Sequence, residues 1–144
     1  MNEAQPPPKL QTLRIIWAVF VVAQLGFGVA GVLAAAPPTN GVLALVLPIL
    51  AFTAPLGGLL GRRTALGGTL ALAPPDSDAR PSTDAQRQRF SQGLIFGLMG
   101  AEISSILGLA GAISVGMPIA PFVGWGLLFT LLQFPTEAGI RQVR

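Results

Sequence analysis

The residue of this sequence best suited to chemistry is a carboxylic acid in the middle of an apolar run. Glu102 lies within GLIFGLMGAEISSILGLAG, residues 93–111. An unpaired carboxylate at the centre of a bilayer costs about 3 kcal/mol or more, and binding a proton removes much of that cost. No Lys or Arg lies at the same depth to pair with it. We therefore expect Glu102 to be mostly neutral at pH 7 and to bind and release a proton.

Two polar side chains are candidates to assist Glu102 in binding an ion. Ser105 lies about one turn further along the same segment, and Gln24 lies in the first apolar segment. If both segments enter the membrane from the same side, a rise of about 1.5 Å per residue puts Gln24 and Glu102 at nearly the same depth. This predicts a Gln24–Glu102 hydrogen bond. Such a bond either serves ion binding or only joins two helices, the latter typically for less than about 2 kcal/mol.

Small residues of the same segment form a second pattern. At about 100° per residue, Ala101 and five further small residues fall on one side of a helix: Gly93, Gly97, Ser104, Gly108 and Gly111. Such a stripe lets a neighbouring backbone approach closely. Glu102 lies roughly 140° from Gly97 around the helix. Its carboxyl is therefore expected to face a second interface, another subunit, a cavity or the lipid.

The composition predicts an all-α membrane protein. The chain has 144 residues, of which 51% are hydrophobic and 10% charged, and its mean hydropathy is +0.65. Four apolar segments approach the roughly 20 residues that cross a bilayer as a helix: about 13–33, 41–60, 90–115 and 119–134. We expect residues 1–144 to form one membrane domain with a flexible loop at about 61–89. The first segment also resembles a signal peptide, but its length favours a retained helix.

Charge is distributed unevenly between the ends of these segments. The connections after the first and third segments carry no charge. Lys and Arg occur only near the N-terminus, in the 61–89 connection and at the C-terminus. The positive-inside rule places those three regions in the cytoplasm. This predicts four transmembrane helices with both termini cytoplasmic, in a bacterial inner membrane, and with Arg62 and Arg63 at the lipid headgroups.

Several functional classes lack the residues that they need. The sequence contains no His and no Cys, which excludes disulfides, thiol nucleophiles and Cys/His zinc sites. We find no catalytic constellation, so we expect no enzyme activity, metal or cofactor. The nine basic residues flank apolar segments and have no interleaved aromatic residues. This arrangement does not suit nucleic-acid binding.

The region of about residues 87–111 resembles the outer helix of the rotary ATPase proteolipid, subunit c of F-type enzymes. The residues that carry the resemblance follow the basic stretch QRQRF and are Gly97, Ala101, Glu102, Ile106, Gly108 and Leu109. The resemblance implies that Glu102 carries a proton or sodium ion, with Gln24 and Ser105 as possible helpers. The whole layout is similar to that of small bacterial inner-membrane proteins, which implies no particular activity.

Two functions therefore stay open at the level of sequence. In the first, the protein is an ion-handling, proteolipid-like subunit in which Glu102 binds and releases a proton. In the second, it is a structural or accessory subunit whose small-residue stripe packs against a larger complex. Both imply the lipid bilayer and either other membrane subunits or further copies of the chain as partners.

Overall fold

The computed structural model describes residues 8–72 and 82–143, and within these two ranges all regular secondary structure is helical. The elements are α1 (Leu10–Leu33), α2 (Val42–Ala65), α3 (Asp84–Val115), α4 (Ala120–Leu131) and α5 (Glu137–Arg141). Helices α1, α2 and α3 are long and apolar enough to cross a membrane, whereas α4 is apolar but shorter. The prediction of an all-α fold is confirmed for the described residues, and three of their helices could span a membrane by length and composition.

The predicted loop at about 61–89 is shorter than expected, because both of its ends are helical. Helix α2 continues to Ala65. Helix α3 begins at Asp84 because Thr83 caps it: the Gln86 backbone N–H donates to Thr83 Oγ1 at 3.3 Å, and the Thr83 N–H donates to Gln86 Oε1 at 3.0 Å. This reciprocal pair satisfies two otherwise free donors at the helix start. Residues 73–81 of the predicted loop lie outside the described residues.

Helix α3 packs against α1, α2 and α4, and its contact with α2 is the most extensive. Gly58 of α2 and Gly100 of α3 make this contact close. A Cβ atom added to Gly58 would lie 2.7 Å from the Gly100 Cα atom and 3.0 Å from the Phe96 carbonyl oxygen. Helix backbones approach this closely in membranes only where both residues are small.

The two ends of the helical bundle differ in charge. At one end, the α1–α2 connection is tied to α3 because the Ala36 N–H donates to the Ala112 carbonyl and the Thr39 N–H to the Val115 carbonyl. The segments 34–41 and 116–119 at this end contain no charged residue. The opposite end holds the described arginines of α1, α2, α3 and α5. We refer to these as the neutral end and the basic end.

Helix α5 is held against the start of α3 at the basic end. Glu137 Oε1 accepts hydrogen bonds from the Ser82 N–H at 2.7 Å and the Ser82 hydroxyl at 2.6 Å, and it lies 3.4 Å from Arg87 Nη2. Gln86 Nε2 donates to the Arg141 and Val143 carbonyls at 3.2 Å each. Partial burial raises the pKa of Glu137, but the Ser82 hydrogen bonds and the Arg87 charge outweigh this effect and hold the pKa below its ordinary value.

Two adjacent glycines of α2 provide a matched test of the α2–α3 contact. Gly58→Ala is expected to lower the free energy of unfolding by about 1–3 kcal/mol, because its methyl group meets the α3 backbone. Gly57 has no atom within 4 Å of an added Cβ. Gly57→Ala should therefore be neutral or stabilising by up to about 1 kcal/mol. Thermal unfolding in detergent micelles measures both, and equal effects of the two variants would contradict a close α2–α3 contact.

The Glu137 contact predicts a loss of stability in acid. Since the pKa of folded Glu137 is depressed, the stabilisation is present above the ordinary pKa of Glu and disappears as pH falls through the folded value. Glu137→Gln is expected to remove about 1 kcal/mol at neutral pH and to make the acid loss shallower. Unfolding of both forms followed from neutral to acidic pH gives the comparison, and parallel curves would refute this role of Glu137.

Candidate functional site

Glu102 lies about halfway along α3, at the border between the packed and outer faces of this helix. Its side chain is half-buried. Leu98, one turn earlier, is fully buried, whereas Ile95 and Ile106 on the other side are 42% and 43% exposed. Within the described residues, no group hydrogen-bonds to the Glu102 carboxyl. The acid therefore borders the outer surface of the bundle without a hydrogen-bond partner among the described residues.

The structure joins Gln24 to Ser105 but does not join either of them to Glu102. Gln24 and Ser105 are fully buried. Gln24 Nε2 donates to Thr130 Oγ1 at 2.6 Å, and the Ser105 hydroxyl donates to Gln24 Oε1 at 3.5 Å. The expected Gln24–Glu102 bond is therefore replaced by a link through Gln24 from α3 to α4. The cause is the position of Thr130, which offers Gln24 a partner inside the bundle.

The small residues of the predicted stripe all lie on the packed face of α3, and all are buried. The Ser104 hydroxyl donates to the Phe122 carbonyl of α4 at 3.1 Å. The side chains that approach the four glycines of the stripe come from the end of α2, from α4 and from the segments that flank α4. In order, Gly93, Gly97, Gly108 and Gly111 face Leu66, Gln133, Phe122 and Met117.

Sequence reasoning missed the most unusual interior residue, Arg62. It was expected at the headgroups with Arg63, yet Arg62 is fully buried and Arg63 is exposed. Arg62 Nη1 donates to Gln133 Oε1 at 3.1 Å, and Nε donates to the Leu70 carbonyl at 2.9 Å. The guanidinium carbon also lies 5.0 Å from the centre of the Phe90 ring. We call Arg62 with these partners the Arg62 cluster.

The helical spacing of α2 could have predicted that Arg62 points inward. Arg62 follows Gly58 by four residues and Pro55 by seven, so the three share one face of the helix. Pro55 and Ala51 on this face are buried. Arg63, one position further, is rotated by about 100° and points outward, where its Nε donates to the Gly68 carbonyl at 3.1 Å.

The Arg62 cluster makes the basic end of the interior electropositive. In the part of the chain that the structure describes, no carboxylate forms an ion pair with Arg62, and its hydrogen-bond partners are neutral oxygen atoms. A buried guanidinium opposes the entry of cations, as positive groups do in selective pores.

A series of hydrogen-bonded polar groups runs through the interior from Ser105 to the Arg62 cluster. Ser105 bonds to Gln24 and Gln24 to Thr130, while the Gln133 N–H donates to the Thr130 carbonyl at 3.1 Å. The Trp17 indole N–H also donates to the Thr130 carbonyl, at 2.7 Å. None of the side chains in this series except Arg62 is ionisable. The series can orient helices, but it offers no acid or base that takes up a proton.

Neither a metal centre nor a relative identifies the site. The described residues contain no group of three His, Cys, Asp or Glu that could hold a metal ion. Comparison with protein-family models, with curated proteins and with solved structures gives no match to this chain. The resemblance of α3 to a proteolipid helix therefore stays a prediction.

The neighbouring arginines of α2 provide a test of the Arg62 cluster. Arg62→Met leaves Gln133 Oε1 and the Leu70 carbonyl without their donor, and we expect a loss of about 2 kcal/mol in the free energy of unfolding. Arg63→Met removes an exposed arginine and should change it by less than about 0.5 kcal/mol. Thermal unfolding in the same micelles compares the two. Similar losses for both would contradict an inward-pointing Arg62.

Proposed function

We propose that this chain is a four-span protein of the bacterial inner membrane that acts as a proton-handling subunit of a membrane complex through Glu102. The observation that carries the proposal is the position of this carboxyl. It lies in the middle of the longest membrane helix, at the outer surface of the bundle, and no described group bonds to it. Intramembrane ionisable residues are functional candidates by default, because their retention is costly.

The fourth span is supported by the course of the chain beside α1. Ile119, just before α4, packs against Gly31 near the end of α1. After α4, Arg14 Nε near the start of α1 donates to the Pro135 carbonyl at 3.5 Å. The segment from Ile119 to Pro135 thus runs beside most of α1. At about 1.5 Å per residue, the stretch of α1 from Arg14 to Gly31 is about 25 Å long, close to the thickness of a bilayer core.

The separation of charge between the two ends supports the proposed orientation. If all four helical segments cross, the positive-inside rule places the basic end in the cytoplasm and the neutral end outside. Both termini are then cytoplasmic. The five residues of α5 and the Glu137 contact lie on the same cytoplasmic side.

The interior of the bundle indicates where proton exchange at Glu102 takes place. The series of polar groups inside the bundle ends at a buried cation and contains no other titratable side chain. A route to Glu102 through the interior is therefore unfavourable for a proton. Exchange instead occurs at the outer face of α3, where lipid or another subunit contacts the carboxyl.

A second candidate function is that of an accessory subunit without transport activity. The observation that favours it is the mutual pairing of the interior polar side chains. Gln24, Ser105 and Thr130 bond to one another, and Gln133 bonds to Arg62. Such an interior holds helices in place and needs no ligand. In this case Glu102 only binds a polar group of a neighbouring subunit.

Labelling with a lipid-soluble carbodiimide, which attacks protonated carboxyls, distinguishes the two functions. The full-length protein is reconstituted in liposomes at a high lipid-to-protein ratio and labelled from about pH 6 to about pH 9. A proton-exchanging Glu102 is expected to label strongly at the low end and weakly at the high end, as read by mass spectrometry. Glu102→Gln gives the background.

Two results would count against proton handling. One is labelling of Glu102 that is absent at every pH in dispersed protein, which means that the carboxyl is not reached from the lipid. The other is labelling that does not change with pH, which means that the proton is not exchanged in this range. Either result leaves the accessory function as the better description.

A further inference from the structure

The outer face of α3 carries a regular seam of residues that the other described elements leave mostly uncovered. From Gln92 onward its residues follow one another at alternating intervals of three and four positions, and Glu102 is the middle one. The seam consists of Gln92, Ile95, Met99, Glu102, Ile106, Leu109 and Ile113. This spacing has a period of 3.5 residues, the repeat by which one helix packs along another in a left-handed crossing.

Most of the seam is accessible. Met99 and Ile113 are each 50% exposed, and Ile95 and Ile106 are only slightly less so. Glu102 and Leu109 are half-buried. The packed face of α3, which carries the small residues, lies on the other side of the helix. Leu109 also packs against Ala112, Ile119 and Val123, but the rest of the seam is distinct from the surface by which α3 holds α1, α2 and α4.

We propose that the seam is the contact surface of a parallel homodimer, in which the Glu102 carboxyls of two copies hydrogen-bond to each other. In this dimer a second copy of the chain is the partner that contacts the outer face of α3. The inference rests on the proposed function, because it assumes that α3 crosses the membrane. The protein then handles protons through a pair of carboxyls shared by two copies.

Symmetry and depth favour a second copy over other occupants of the seam. A two-fold axis along the membrane normal brings identical residues to the same depth, so each seam position meets itself. A protonated carboxyl is both donor and acceptor and thus complements its own copy. Acyl chains offer Glu102 no hydrogen bond. The sequence contains no other ionisable residue in 15–61 or 90–136. On α1 only Arg14, near its start, carries a charge, and no charge on α4 or most of α2 competes for Glu102.

A single polar residue in an apolar seam also sets the register of the two helices. In coiled coils, one polar residue at a core position selects the alignment in which it meets its counterpart. Any shift along the seam would place Glu102 opposite Met99 or Ile106 and leave both carboxyls unpaired. The proposal therefore predicts one defined alignment of the two copies of α3.

The absence of native cysteines permits a clean cross-linking test of the seam. Single variants Met99→Cys and Ile106→Cys are made in the full-length protein and oxidised in liposomes. Phe96→Cys and Ile103→Cys are the matched controls, since both are exposed positions of α3 outside the seam. We expect disulfide-linked dimers at Met99 and Ile106 at several times the yield of the controls.

The yields decide the proposal in either direction. Equal yields at all four positions mean random collision in the membrane and overturn it. Higher yields at Phe96 or Ile103 mean that α3 meets a neighbour through another face, which also overturns it. No cross-link at any position means that lipid covers the seam and the protein is monomeric.

Variants at Glu102 separate the dimer from proton handling. Energy transfer between labelled copies in liposomes measures association. Glu102→Leu is expected to weaken it by about tenfold, as the loss of membrane hydrogen bonds implies. Glu102→Gln keeps a donor and an acceptor and should bind within about threefold of the original chain, although it cannot exchange a proton. Unchanged association of Glu102→Leu would refute the carboxyl pair.

Dilution in lipid gives an independent readout that also tells the two proposals apart. Because pairing shields the carboxyl, carbodiimide labelling of Glu102 should rise as the lipid-to-protein ratio increases. Labelling that depends on pH but not on dilution supports proton handling and overturns the dimer. Seam cross-links with no labelling of dispersed protein support the dimer and leave Glu102 structural.

Discussion

The whole arrangement depends on the small-residue face of α3, which must contact three helices at once. In lipid there is little hydrophobic gain from bringing apolar helices together, so close packing and hydrogen bonds hold them. Gly58 and Gly100 bring the α2 and α3 backbones into direct contact. Gly97 leaves room for the Gln133 side chain, and Ser104 bonds to the α4 backbone. Since one side of α3 is used in this way, its other side has little contact with the other described elements, and Glu102 lies at the border between the two sides.

The Arg62 cluster follows from the same packing. Gly58 lets α2 pack closely against α3. Arg62 lies one turn later on the same face, so its side chain points inward and contacts Phe90 and Gln133. The guanidinium contacts the turn that follows α2 and the segment after α4, so it connects the end of α2 to a part of the chain that is distant in sequence. Its stem packs on apolar groups while its donors reach carbonyl oxygens, a combination to which arginine is well suited. The cost of burying the charge is offset by these contacts.

Much of the fold could be predicted from the sequence because helix length and hydropathy are local properties. The expected segments at about 13–33 and 41–60 overlap most of α1 and α2, and both the third segment and α3 end at 115. The start of α3 was placed too late, since the Thr83–Gln86 cap extends the helix beyond its apolar part. Side-chain partners were harder to predict. Gln24 was assigned to Glu102 by depth alone, whereas its actual partner depends on how α4 is rotated, which presents Thr130. The rotation of α4 about its axis cannot be predicted from the local sequence pattern.

Arg62 illustrates the same difficulty in another form. Its position on the Gly58 face could have been recognised, but an arginine beside a second arginine at a helix end is ordinarily a headgroup residue. Only the contact of α3 with α2 determines which of the two points inward. Glu102 is the opposite case, because its cost in lipid is a property of the residue itself and is evident from sequence. A buried group that is satisfied within the chain serves the fold, whereas a group that the fold leaves without a partner requires one from outside. By this criterion Arg62 serves the architecture of the bundle, and Glu102 is the residue to which the proposed function assigns contact with ions or other subunits.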